Sequence, residues 1–194
     1  MPNKKPKTVV YRRKREGKTN YPKRLHLLLA KKPQLVIRFT NQKIIAQLIE
    51  FQPQGDQILV GVDSTALKKL GWEFSLKNMA AAYLTGYLIG KKAVQKKIKE
   101  AILNLGFKSP LKGNKIYACL QGAIDAGLNI PHSPEIFPSV ERISGKHIQD
   151  YAAQLKDKPE VYQKKFSKYL KNSLDPNKIV EDFNKIKKQL DKND

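Results

Sequence analysis

Leu35-Val-Ile-Arg-Phe39, Ile44-Ile-Ala-Gln-Leu-Ile49 and Ile58-Leu-Val-Gly-Val62 are three short runs rich in branched side chains. Such residues suit a pleated, half-buried surface. The four residues between the first two runs, Thr40-Asn-Gln-Lys43, make a hairpin-length loop, and Pro53-Gln-Gly-Asp56 places proline and glycine where the second connection must turn. The runs therefore read as an antiparallel three-strand meander. Side chains alternate across a strand, so Leu35, Ile37 and Phe39 share one face, while Arg38 joins Val36 on the other and is free to meet a ligand.

Beyond the meander the period lengthens. Leu76, Met79, Ala80, Tyr83, Leu84, Tyr87, Leu88, Val94 and Ile98 recur mostly at steps of three and four, which predicts a long amphipathic helix with Ser75 as its N-cap. Gly86 and Gly90 on that helix read as a place where it approaches the sheet closely. Ala101-Ile-Leu-Asn-Leu105, stopped by Gly106, is a fourth strand. A second helix follows from Asn114 to Ala126, with Ile116, Leu120, Ala123 and Ile124 inward and Gly127 as its stop. A strand that follows such a helix joins its sheet by a parallel crossover. The expected fold is α/β: a mixed sheet (three-strand antiparallel meander plus a crossover strand) with two packed helices, a basic N-terminal arm and a helical C-terminal tail.

The flanks differ from this core. Residues 1–32 are read as an extended basic arm with one short helix near Pro22 to Ala30, residues 33–130 as the α/β core, and residues 131–194 as an irregular and helical extension. In the extension, Ser144 is the expected cap of a helix running to Leu155. Pro159 opens a second containing Tyr162, Phe166, Tyr169 and Leu170, and Asp175-Pro176 starts a third containing Ile179, Phe183, Ile186 and Leu190. The apolar stripes are narrow, so this tail should pack on something larger than itself.

Charge dominates the composition. The 194 residues include 38 Lys plus Arg against 17 Asp plus Glu, a formal charge of +21, with 40% apolar residues. Twelve basic residues and one acidic residue fall within residues 1–32. Such an excess repels itself in a compact state and points to a polyanionic partner, most often nucleic acid. A membrane span is not expected, because the longest uncharged apolar stretch, Asn78 to Gly90, has 13 residues where about 20 are needed. The basic N-terminus lacks the apolar segment of a secretory signal. A single cysteine, Cys119, rules out an internal disulfide, fits a reducing cytosol, and reads as a buried structural thiol.

Catalytic and cofactor chemistry is not indicated. Gly17-Lys18-Thr19 resembles the end of a phosphate-binding loop, but Arg12 stands where that loop needs a glycine. His26, His132 and His147 lack partners at metal-ligand spacing. Ser64 has no candidate base, and Asp63-Ser64-Thr65 reads as a helix cap. Asp63, Glu73, Glu100 and Asp125 show no paired spacing of the kind a two-metal nuclease uses. No cofactor, metal or small-molecule substrate is expected, and no enzyme.

The positive signal is Tyr11-Arg-Arg-Lys-Arg-Glu-Gly-Lys-Thr-Asn-Tyr-Pro-Lys-Arg24, where seven cations stand among two tyrosines. Arginine grips phosphate oxygens bidentately and tyrosine stacks on unpaired bases, a combination suited to RNA. The arm has too few apolar groups to offset its ordering entropy, so it should be largely disordered until it folds on RNA. A second candidate patch is the loop Gly106-Phe-Lys-Ser-Pro-Leu-Lys-Gly113, with Phe107 and Lys108 at its start; an ordinary strand-to-helix connection is the competing reading.

Several blocks carry a family resemblance: Tyr11-Arg-Arg-Lys-Arg-Glu-Gly-Lys-Thr19, Lys32-Pro-Gln-Leu-Val-Ile-Arg-Phe-Thr-Asn41, Gly71-Trp-Glu73, Asn78-Met-Ala-Ala-Ala-Tyr-Leu-Thr-Gly86, Gly122-Ala-Ile-Asp-Ala-Gly-Leu-Asn-Ile-Pro-His132 and Gly145-Lys-His-Ile148. In order over residues 11–155, they resemble the archaeal and eukaryotic branch of the universal large-subunit ribosomal protein eighteen family, whose members bind 5S rRNA. The match fades after about Leu155. The resemblance implies a cytoplasmic ribosomal protein that binds 5S rRNA and helps attach it to large-subunit rRNA at the central protuberance, beside neighbouring large-subunit proteins. It implies phosphate contacts by Arg12, Arg13, Lys14, Arg15, Lys18, Lys23 and Arg24, with Tyr11 and Tyr21 beside sugars or bases, and a polar face from Arg38, Asn41 and Lys43. Gln34 departs from the family, where a basic residue is common, and the family varies at Phe107-Lys108. Two rivals remain open. A non-specific architectural protein would bind duplex DNA as tightly as structured RNA, and an RNA-processing enzyme would cleave its RNA.

Overall fold

The computed structural model describes residues 8–109 and 111–192. The first seven residues of the basic arm, and Pro110 in the second basic loop, lie outside these. The arm holds α1 (Arg12–Arg15) and α2 (Tyr21–Leu29), and the sheet region holds β1 (Gln34–Phe39), β2 (Ile44–Glu50) and β3 (Gln57–Asp63). A 3₁₀ helix (Ser64–Leu70) leads to α3 (Met79–Gln95), β4 (Ile102–Asn104) and α4 (Lys115–Asp125). The tail comprises α5 (Val140–Ser144), α6 (Lys146–Gln154), α7 (Pro159–Lys171) and α8 (Ile179–Lys192).

The sheet has the order β3-β2-β1-β4. β1 and β2 are antiparallel with Leu35 opposite Leu48, Ile37 opposite Ala46 and Phe39 opposite Ile44. β3 continues the meander with Val62 opposite Ala46 and Val60 opposite Leu48, and a bulge follows at Leu48/Ile49. β4 runs parallel to β1, as expected of a strand that returns after a crossover helix. The paired side chains of β1, β2 and β3 on one face are buried with α3 and α4 in a single core, which Trp72, fully buried, joins. The opposite face carries Val36, Arg38, Gln47 and Ile49, with Arg38 exposed.

The two main helices meet backbone to backbone. A Cβ on Gly86 would lie 1.8 Å from the Cys119 carbonyl oxygen, and one on Gly90 would lie 2.7 Å from that of Ala123. Gly122 reciprocates, its Cβ position falling 2.2 Å from the Tyr83 carbonyl oxygen. The small-residue spacing on α3 therefore serves approach to α4, not to the sheet as the sequence reading held. That seam also buries Cys119 completely, which pushes its thiol pKa up to about 12.

Hydrogen bonds fix two of the caps, and backbone geometry fixes a third. Asn78, not Ser75, caps α3: its Oδ1 accepts from Ala81 N at 2.7 Å, while the Ser75 carbonyl is taken by Trp72 Nε1 at 3.2 Å. Asp63 Oδ1 accepts from Thr65 N at 3.2 Å and caps the 3₁₀ helix. Ser144 ends α5 and does not open α6; Gly145, at φ +92°, turns the chain between them, packed against Ile179.

The tail's stripe does find a larger body. Ile179, Phe183, Ile186 and Leu190 of α8 enter the main core, where α8 meets α3. Burying side chains of this size is worth roughly 1.5–3 kcal/mol each before the entropy of ordering is counted. The Tyr83 ring packs 5.5 Å from that of Phe183, the Tyr83 hydroxyl donates to Asp125 at 2.7 Å, and the Tyr87 hydroxyl donates to Asp191. α6 and α7 add a smaller cluster around Ala152, Leu155 and Phe166, with a kink at Phe166.

Candidate nucleic-acid interface

The basic run Arg12-Arg-Lys-Arg15 is not extended but forms a closed helical turn. Gly17, at φ +62°, ends α1: Lys18 N donates to Arg13 O at 2.9 Å and Gly17 N to Lys14 O at 3.1 Å, the double bond of a Schellman cap. The segment Gly17-Lys18-Thr19 is thus a helix stop, with no strand before it among the described residues. After the turn, Arg13 Nε donates to Thr19 Oγ1 at 2.9 Å, and Asn20 caps α2 by accepting from Lys23 N at 3.1 Å. The Tyr11 and Tyr21 rings meet at 5.1 Å, with Tyr11 72% exposed. Neither α1 nor α2 contains a buried residue.

The arm, the outer face of β1 and the loop after β4 line one cleft of about 430 Å³. Six cations line it: Arg13, Lys18, Lys23, Arg24, Arg38 and Lys108. A single carboxylate, that of Asp56, lines it with them. Phe107 is half exposed at the rim, and Lys108 Nζ sits 5.5 Å from the centroid of the Phe39 ring. Such an assembly of cations on three separate segments makes a concave surface of one sign with exposed rings beside it. It suits phosphates and unpaired bases.

The candidate residues are not equally available. Arg38 forms no ion pair among the described residues. Arg24 is bound to Asp56 by Nη1 at 2.8 Å and Nη2 at 2.5 Å; that hydrogen bonding raises its pKa, with burial opposing. Lys18 and Arg12 both reach Glu16, at 2.8 and 3.8 Å. Lys43 and Asn41 lie at the hairpin tip and do not line the cleft. Lys43 Nζ pairs with Asp63 at 2.6 Å, and this bond together with the one from Thr65 holds the Asp63 carboxyl below its ordinary pKa. The Asn41 carbonyl accepts from Lys77 Nζ at 3.4 Å.

Three contributors had no strong signal in the sequence. Asp56 reads there only as a turn residue. Gln34 does not line the cleft; 3% exposed, it accepts from Asn104 Nδ2 at 2.8 Å across the β1–β4 pair and holds the Asn104 side chain, which does line it. Thr19 lies in the cleft as a neutral hydroxyl that accepts from Arg13 Nε. Among the described residues no group of three or more His, Cys, Asp or Glu is placed to hold a metal ion. No helix among them is long and apolar enough to cross a membrane.

A family model described as ribosomal large subunit proteins 60S L5 and 50S L18 matches residues 5–102 and 92–133. The chain belongs to this family. A relative, large ribosomal subunit protein uL18 of the archaeon Methanothermobacter thermautotrophicus, is 45% identical over 183 residues, covering 94% of each chain. As a member of this large-subunit family, the protein is a structural constituent of the cytoplasmic ribosome, in a family not known for enzymes. RNA binding is implied by the family. The family match at residues 5–133 contains every residue lining the cleft. The family-model match ends at residue 133, while the alignment with the archaeal relative, 183 residues long, extends into the tail.

Proposed function

We propose that this family member binds 5S rRNA with the basic cleft and helps attach it to the large-subunit rRNA at the central protuberance, by assembly and without turnover. The observation that carries the reading is the convergence of six cations from the arm, β1 and the loop after β4 on one surface. Arg12, Arg13, Lys14, Arg15, Lys18, Lys23, Arg38 and Lys108 contact phosphates in this reading, and Tyr11, Tyr21 and Phe107 lie against sugars or bases. Asn41 and the paired Lys43 contribute at the hairpin tip. Residues 1–32 supply most of the affinity, residues 33–130 the rigid platform, and residues 131–194 the face toward the rest of the subunit. Neutralised phosphates release counterions and give affinity, while the folded shape of the RNA gives selectivity.

The test is an equilibrium titration of the whole chain against folded 5S rRNA, an unrelated RNA of equal length and duplex DNA, at several salt concentrations. The expected result is a preference of about 10³ or more for 5S rRNA at physiological salt, with a steep salt slope. Equal affinities for all three would leave a generic polyanion binder.

A further inference from the structure

We propose that Asp56 is a positioning residue for RNA binding: it holds Arg24, and through it α2 and the basic arm, against the sheet before RNA arrives. The proposal rests on reading the cleft as the RNA site. A carboxylate among six cations is out of place in a surface that must attract phosphate, unless it does something else there. Both its oxygens are engaged by one guanidinium, at 2.8 and 2.5 Å, and this two-point contact fixes orientation as well as distance. The guanidinium also lies 5.6 Å from the centroid of the Phe51 ring, on the same β2–β3 connection. That connection is held in shape by Gly55 N donating to Gln52 O at 3.0 Å.

The tether matters because the arm has little else to hold it. α1 and α2 bury no residue fully; Tyr21, Leu27 and Leu28 of α2 are only half-buried, so the apolar anchor of the arm is partial. The bond joins segments 32 residues apart, and it faces the cleft from the side opposite β4 and its loop. Arg24 is therefore a tether and not a phosphate ligand, which separates its role from that of Arg13, Lys23 and Arg38. An arm already seated on the sheet loses less entropy on binding than a free one, and affinity rises accordingly. Both side chains are 28% exposed, so the pair is partly screened and its effect is of modest size.

The test uses the full chain with D56N, R24A and the charge-exchanged R24D/D56R, read in two ways. In the RNA-free protein, amide hydrogen exchange in α2 should speed up by about two- to fivefold in D56N, the range an ion pair of this exposure sets, with α3 unchanged as the control for folding. Against 5S rRNA, D56N should bind about two- to fivefold more weakly with the same salt slope, and the exchanged pair should recover most of the loss. Tighter binding by D56N would show that Asp56 merely repels RNA and would overturn the proposal. So would unchanged exchange in α2, or a salt slope lowered by about one in R24A but not in D56N, which would make Arg24 a phosphate ligand. Selectivity of the unaltered chain for 5S rRNA judges the parent reading separately, because each variant is compared with the unaltered chain on the same RNA.

Discussion

Replacing Gly86 by alanine sets two effects of opposite sign against each other. In an isolated helix alanine is preferred to glycine by about 0.8–1 kcal/mol, so α3 alone would gain. In the folded protein the new methyl carbon would lie 1.8 Å from the Cys119 carbonyl oxygen, 2.7 Å from its carbon and 2.9 Å from its Cα, where ordinary contact begins near 3.4 Å. All three atoms are backbone, so no rotamer change relieves the clash. Relief means moving α4 outward by more than an ångström, which also loosens Gly122 from the Tyr83 carbonyl and disturbs a fully packed seam. Overpacking costs typically about 1–3 kcal/mol and sometimes more, and a rigid contact belongs at the upper end. Net destabilisation should be about 2 kcal/mol, which for a chain of this size lowers Tm by about 4–8 °C. Urea unfolding followed by circular dichroism measures it, with the m value checking that the unfolding transition is unchanged. The clash distances of 1.8, 2.2 and 2.6 Å at Gly86, Gly122 and Gly90 predict that order of damage from alanine, worst first. Gly86→Ala as stable as the unaltered protein, or the reverse order, would refute the close-packed seam.

Other perturbations separate the interface from the scaffold. Deleting residues 1–24 removes no buried residue among those described, so the core should melt cooperatively while most 5S rRNA affinity is lost; an unchanged Kd would remove the arm from the interface. Arg38→Ala should lower affinity and reduce the salt slope by about one. Lys43→Ala should lower affinity less than Arg38→Ala does and cost up to about 1 kcal/mol of stability, since Lys43 is held by Asp63. Equal loss of RNA affinity in these two variants would contradict the geometry. Cys119, buried with its thiol raised to about 12, should react with a thiol reagent at pH 8 only as fast as the protein opens; rapid labelling of folded protein would show that the seam breathes.

Much of the scaffold was legible because its signals are local. Branched runs at strand length, a four-residue hairpin loop and the change to a helical period identified the sheet, its crossover and both main helices, and the structure matches in topology. The narrow stripe at Ile179, Phe183, Ile186 and Leu190 correctly demanded a larger body, though not which one. Caps were less legible: Ser75, Asn78, Ser144 and Gly145 all carry capping chemistry, and the choice among them fell to the buried Trp72 indole and to the packing of Ile179. The basic arm was read as a functional segment from composition, but its helical turn depends on the left-handed geometry at Gly17.

By itself the sequence determined the element types of the core, the fold class, the family and the sign of the partner's charge, because periodicity, composition and motif order belong to the chain regardless of how it folds. Only the tertiary structure decided what each close approach meets and which charges remain available. A glycine pair at helical spacing announces contact without naming its partner, and here the partner is α4. Arg24 and Arg38 look alike in the chain. Folding brings a carboxylate from 32 residues away to the first and leaves the second on the open face of the sheet, because Coulomb and hydrogen-bond energies depend on distance in space.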